Sequence, residues 1–174
     1  MRGWRPEDRP PFAAMNADPE VMAHFPAPLS RAESDRLVDR IGDSFDRHGF
    51  SLWALEVAGT GAFIGFTGLI MQTFEVHFTP AVEVGWRLTR TAWGHGYASE
   101  AGRAALTYGF DEAGLDEIVS MTAVTNTPSQ AVMRRIGMTH DPADDFEHPK
   151  IPAGSPLRPH VLYRLTADAW RRQG

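Results

Sequence analysis

The chain has 174 residues, 43% of them hydrophobic and 22% charged, enough for the core of one ordinary domain, and a single domain over residues 1–174 is expected. Its formal net charge of −5 argues against a general nucleic-acid binder, and the absence of cysteine removes disulfides, thiolate nucleophiles and cysteine-held metals. No apolar run approaches the ~18 residues a bilayer demands, and the opening MRGWRPEDRPPF lacks the apolar stretch of a signal peptide, so the expected place is the cytoplasm, with no membrane partner.

Residues 6–26 carry helix-like stretches broken by prolines, and Asp18-Pro19 reads as a cap followed by proline at the first helical position. Ser30 to Glu33 is a capping box, opening a helix with Leu37, Ile41 and Phe45 on one stripe, and Gly49 is placed to end it. The period then changes. FSLWALEV (50–57) and AFIGFTGLI (62–70) are short and rich in β-formers, with AGTG (58–61) between them as a hairpin turn, and VEVGWRL (82–88) is a third strand. A helix over 97–113 follows, with Tyr97, Ala101, Ala104, Ala105 and Tyr108 inward and Gly114 as its stop. DEIVSMTAV (116–124) is a fourth strand. Thr127-Pro128-Ser129-Gln130 combines a capping box with a proline at the first helical position, and that short helix ends at Gly137. Residues 141–159 read as a long loop, HVLYRL (160–165) as a last strand and 167–172 as a helical turn. The order predicts an α/β chain with a mixed, mostly antiparallel sheet and one strand–helix–strand crossover.

The stretch TAWGHGYASEAGR (91–103) sets Gly94 and Gly96 at the start of the long helix. First-turn amides have no partner inside a helix, the dipole adds positive character, and glycine lets an anion approach. Arg87, Arg90 and His95 are candidates for further positive charge. A dinucleotide fingerprint fails because Ser99 stands at the third glycine position, and no Gly-Lys-Ser/Thr triplet exists for a phosphate loop of the Walker type. On the residues alone, two readings stand: a tight turn, or a seat for a pyrophosphate.

Taken together, VEVGWRLTRTAWGHGYASEA and NTPSQAVMRRIGM resemble the GNAT acetyltransferase superfamily, in its RimJ/RimL-like branch. WRPED, NADPEVM, FSLWALE, FIGFTGL and HVLYRL extend the resemblance over nearly the whole chain. It implies the GNAT fold, in which two neighbouring parallel strands splay apart, and transfer of an acetyl group from acetyl-CoA to an amine. The family's glycine signature falls on Trp93-x-x-Gly96-x-Ala98, with Trp93 in place of the usual Gln or Arg. By this resemblance the amides of His95, Gly96, Tyr97, Ala98 and Ser99 hold the CoA pyrophosphate, and Arg90, read above as added positive charge, is a candidate to help. The backbone of Trp86 and Leu88 pairs with the pantetheine arm, and Asn126 heads the short helix beside it. Many family members carry a tyrosine on that helix to protonate the departing thiolate. Met133 stands there instead, and Ser129, one turn earlier, matches the donor proposed for RimL-like members. The acceptor is left open among a protein N-terminal α-amine, a free amino acid or polyamine, and an aminoglycoside-like drug. A homodimer is a reasonable expectation.

Acetyl transfer needs a base for the amine, N–H donors for the oxyanion and a proton or charge for the thiolate. Strand amides near Leu88 are candidates for the second task and Ser129 for the third. Glu83, flanked by Val82 and Val84 and so pointing away from them, is the candidate base, directly or through water; it also reads as a solvated strand residue. Glu100 lies near the glycines, where an acid in a first helical turn suits the dipole anyway. Asp141, Asp144, Asp145, Glu147 and His148 read as a solvated acidic loop, with two sharper ideas beside it: attraction of a cationic acceptor, or a metal shared with His140. No metal is expected. Arg134 and Arg135 read as solvated cations or as CoA phosphate contacts. Outside the transferase class, a non-catalytic CoA-binding sensor or interaction module would fit Met133.

Overall fold

The structure is a computed structural model that describes residues 1–173. Helices α1 (Arg9–Ala17) and α2 (Arg31–His48) come first. The capping box forms as expected: Ser30 accepts from the Glu33 amide, the Glu33 carboxylate accepts from the Ser30 amide, and Gly49 closes α2 at φ +76°. The Asp18-Pro19 expectation is corrected. Asp18 ends α1, its Oδ1 accepts from the Glu20 amide at 2.9 Å, and residues 19–24 are turns rather than a helix.

Strands β1 (Leu52–Glu56), β2 (Phe63–Gln72) and β3 (Ala81–Leu88) form an antiparallel meander. Helix α3 (Tyr97–Thr107) crosses to β4 (Glu117–Ala123), the parallel neighbour of β3. The apolar stripe of α3 is Ala101, Ala105 and Leu106; Ala104, expected inward, is exposed. Beyond Thr107 the chain widens into a π turn, Tyr108–Glu112, where the Ala113 amide reaches the Tyr108 carbonyl.

After β4 come α4 (Thr127–Arg135), β5 (Thr139–His140), β6 (Phe146–Glu147), β7 (Pro159–Thr166) and α5 (Ala167–Arg171). The seven strands run β1-β2-β3-β4-β7-β5, with β6 also on β7. The stretch expected as a plain loop after residue 140 thus contributes a short strand. Alternation divides the sheet's faces. Val82, Val84, Ile118, Val161, Tyr163 and Leu165 bury themselves against α3, α4 and α5. Leu52 and Phe66 bury themselves against Phe12 and Met15 of α1 and Val38 and Ile41 of α2.

Candidate functional site

The parallel strands part almost as soon as they meet. β3 and β4 share one bridge, Glu83 with Val119, and Ser120 Oγ donates to the Val84 carbonyl at 2.9 Å. Beyond that point β3 continues to Leu88 and β4 to Ala123 without pairing. Which backbone groups face the gap follows from register. Thr89 donates to Ile64 at 2.9 Å, so that pair is a hydrogen-bonded one, and alternate pairs along β2 and β3 are not. Trp86 and Leu88 fall in the non-bonded pairs, and their amides and carbonyls turn from β2 towards the opening. The indole Nε1 of Trp93 takes up the Leu88 carbonyl at 3.0 Å, while the Trp93 ring stays 49% exposed.

At the end of the gap lies the glycine turn. Gly94 and Gly96 have φ of +79° and +83°, and a Cβ on either would meet nothing within 4 Å. Their glycines are therefore demanded by backbone conformation rather than by crowding. Gly96 heads α3, and its carbonyl accepts from the amides of both Ser99 and Glu100. Among the described residues, the amides from Gly94 to Ala98 have no protein acceptor. This run of free N–H groups at a helix start is built for an anion. It corrects the expectation for Ser99, whose amide is spent on Gly96. Ser99 is buried instead, and its Oγ accepts from Arg135 Nη1 at 3.2 Å, which brings that cation to the first turn of α3. His95 is exposed beside Tyr97.

Two other cations are corrected. Arg90 turns back to Glu20 and, at 3.9 Å, to Asp18, so it braces the turns after α1. Arg87 lies on the opposite face of β3 from Val82 and Val84, and its guanidinium is engaged with Asn16 and Phe25. Arg134 Nη1 donates to Tyr163 at 2.8 Å and is likewise occupied elsewhere.

Asn126 is the cap of α4: its Oδ1 accepts from the Ser129 amide at 3.3 Å and its Nδ2 donates to Thr122 Oγ1 at 2.8 Å. The cap therefore sits one residue before the expected Thr127. Both ends of the Asn126 amide are used, so its side chain builds the helix start rather than standing free. Ser129 is partly exposed, and among the described residues its Oγ has no protein partner. Met133, one turn on, is 1% exposed within the core and offers no proton.

Glu83 points away from Val82 and Val84, as alternation required. Gln72 Nε2 donates to its Oε2 at 2.5 Å, and the Met121 amide also donates to the carboxylate. Burial nevertheless dominates and pushes its pKa up from 4.5 to about 7, while part of the side chain still meets solvent. That is the range useful to a general base near neutrality. Neither Gln72 nor Met121 was identifiable from sequence, because their approach to Glu83 depends on strand register.

Several acids of the loop have partners, two of those partners being arginines, while Asp141 accepts from the Ala143 amide. Asp144 meets Arg164 at 2.6 Å and His77 at 3.3 Å, Asp145 meets His140 at 2.7 Å, and Glu147 meets Arg158 at 2.8 Å. His148 is pushed down to about 4, chiefly by burial. These pairings oppose the idea of a free acidic lure for cations. Among the described residues, no group of three or more His, Asp or Glu is arranged to hold a metal.

A family model described as "Acetyltransferase (GNAT) domain" matches residues 1–139. The chain belongs to the GNAT acetyltransferase family. It is an acyltransferase of the N-acetyltransferase class. Among its relatives, the uncharacterized protein YkkB of Bacillus subtilis is 32% identical over 127 residues, 73% of each chain. The FsC-acetyl coenzyme A-N(2)-transacetylase of Aspergillus fumigatus is 29% identical over 165 residues, 91% of this chain and 69% of the relative. The solved GNAT acetyltransferase from Bacillus anthracis superposes with a TM-score of 0.77 at 24% identity, covering 96% of this chain and 93% of that one. The mostly antiparallel sheet with its one parallel pair is thus a fold this GNAT enzyme shares with its relatives.

Proposed function

We propose that this enzyme transfers the acetyl group of acetyl-CoA to a primary amine by direct attack, in the manner of the RimJ/RimL-like branch. The observation that carries the reading is the run of free amides from Gly94 to Ala98 at the end of a strand gap, with a carboxylate of raised pKa beside that gap. The residues present fit the cosubstrate. The amides of Gly94 to Ala98 suit the pyrophosphate, with Arg135 close by. The amides of Trp86 and Leu88 suit the pantetheine arm and the acyl oxygen. Acetyl-CoA supplies an activated thioester.

The chain's own residues manage the protons. Glu83 Oε1 or Oε2 takes one from the amine, directly or through water, because a carboxylate titrating near 7 is deprotonated in part at neutral pH yet basic enough to accept. Ser129 Oγ, free of protein partners, holds one for the departing sulfur. Asn126 orients that serine by fixing the first turn of α4.

Two experiments test this. Acetyl-CoA at about a hundred times its Kd should stabilise the fold by roughly 2.7 kcal/mol; NAD and ATP at matched concentration should not. Replacing Ser129 by Ala should lower kcat by about tenfold or more with CoA binding intact. Absence of an acetyl-CoA shift, or a larger shift with NAD, overturns the transferase reading of the glycine turn.

A further inference from the structure

The face of β3 opposite the α3 core carries Glu83, Gly85 and Arg87 in a row, each about 7 Å from the next at strand spacing. A Cβ on Gly85 would meet nothing within 4 Å, and its φ lies outside the left-handed region. No backbone demand and no crowding therefore calls for glycine there; what the glycine leaves is room. The room adjoins the backbone of Trp86, whose amide faces the gap between β3 and β4. A nucleophile standing over Gly85 would be beside both the gap and the Glu83 carboxylate.

Arg87 closes the other side of that room. Its guanidinium carbon lies 4.1 Å from the Phe25 ring centre and 5.4 Å from that of Phe66. Nη1 donates to Asn16 Oδ1 at 2.6 Å, and Asn16 Nδ2 donates in turn to Ser34 Oγ at 3.0 Å, both of these residues being fully buried. This chain of buried bonds aims the guanidinium. Among the described residues no carboxylate lies within 4 Å of it, and its Nε is buried without an acceptor. Two other half-buried arginines do have acids: Arg2 has Asp8 and Glu56, and Arg164 has Asp144 and Glu117. Taking an arginine out of water without an anion is costly. Burial also pulls its pKa down to about 10, still a cation at neutral pH. With Nε sealed from solvent and Nη1 given to Asn16, Nη2 is the guanidinium group left to donate to a carboxylate.

We propose that the row Glu83–Gly85–Arg87 is the acceptor seat, with the amine over Gly85 and a carboxylate of the same acceptor on Arg87. The acceptor class is then an amino acid or similar amino carboxylate rather than a polyamine or another polycation. This rests on the acetyl-transfer reading above. Two loop acids that would welcome a polycation, Asp144 and Glu147, are already held by Arg164 and Arg158.

The test compares matched acceptors that differ only by the carboxylate, such as phenylalanine with 2-phenylethylamine, alongside spermidine. Acetyl-CoA binding is first measured calorimetrically in every variant. The wild-type enzyme is expected to favour the carboxylate member at least tenfold in kcat/KM. Arg87→Met should abolish that preference, chiefly through KM, and Arg87→Lys should restore part of it. A general folding fault would lower both members together and leave their ratio untouched. Gly85→Val should suppress acetylation of both while acetyl-CoA affinity stays within about twofold. Equal use of the matched pair, preference for spermidine, no acetylation of any member while acetyl-CoA binds, or an unchanged ratio in Arg87→Met would each overturn the assignment. Failure of acetyl-CoA to bind at all would instead bring down the transferase reading, and this inference with it.

Discussion

Replacing Glu83 with Gln separates the energetic reading of the site from its chemistry. The folded carboxylate titrates at about 7 against an ordinary 4.5, so between those values the folded chain holds a proton that the unfolded chain releases. The sign is destabilising for the native state as pH rises: its cost is absent below about 4.5, grows through the interval and is complete above 7. At about 1.4 kcal/mol per pH unit, full burial corresponds to about 3 kcal/mol. The side chain retains some solvent, and screening reduces this to roughly 1–2 kcal/mol. Glutamine is neutral throughout and its Oε1 can still accept a hydrogen bond. The Glu83→Gln enzyme should therefore match the wild type near pH 4 in chemical denaturation and exceed it by about 1–2 kcal/mol at pH 8.5. In steady-state kinetics the wild type should show a rising limb of kcat/KM centred at about 7, and the variant should lose that limb together with ~10²–10⁴ of rate. Equal stability differences at the two pH values would refute the desolvation argument. A rate loss below tenfold with the limb intact would place the base elsewhere.

Gly96→Ala puts a side chain at φ +83°, which should cost about 1 kcal/mol of stability and weaken acetyl-CoA binding, both readable in one thermal-shift titration. Met133→Tyr, an attempt to install the more usual proton donor, should instead overpack a position 1% exposed, lowering stability by about 1–3 kcal/mol without raising kcat. Ser30→Ala removes the cap of α2 and should cost about 1 kcal/mol, or a fall in Tm of about 3 °C, with kinetic constants unchanged.

Much of the architecture was legible in the chain because its causes are local. The Ser30–Glu33 box, the glycine at 49, the β-forming runs and the glycine turn each act within a few residues, and each appears where its signal lies. The orientation of Glu83 was also legible, since strand alternation makes the valines at 82 and 84 decide it. The misreadings were of partners. Asp18-Pro19 carries the signal of a helix start, but α1 ends there and its carboxylate turns back on the Glu20 amide. Arg90 and Arg87 look alike in sequence as charge near a phosphate seat; one is claimed by Glu20 and the other faces Asn16 and Phe25. The loop acids read as a lure in sequence, but Arg164 on β7 holds Asp144 and Arg158 holds Glu147.

By itself, then, the sequence determined the main helices and strands, the face Glu83 takes and the glycine turn at the start of α3. These depend on propensity, period and capping over short spans. Only the tertiary structure decided that β3 and β4 part after a single bridge, that Glu83 is desolvated next to Gln72 and Met121, and that Arg87 has a buried Nε and no acid beside it. Those properties depend on which groups from distant segments share one small volume with little water, and charge and hydrogen bonding are governed by that neighbourhood rather than by order along the chain.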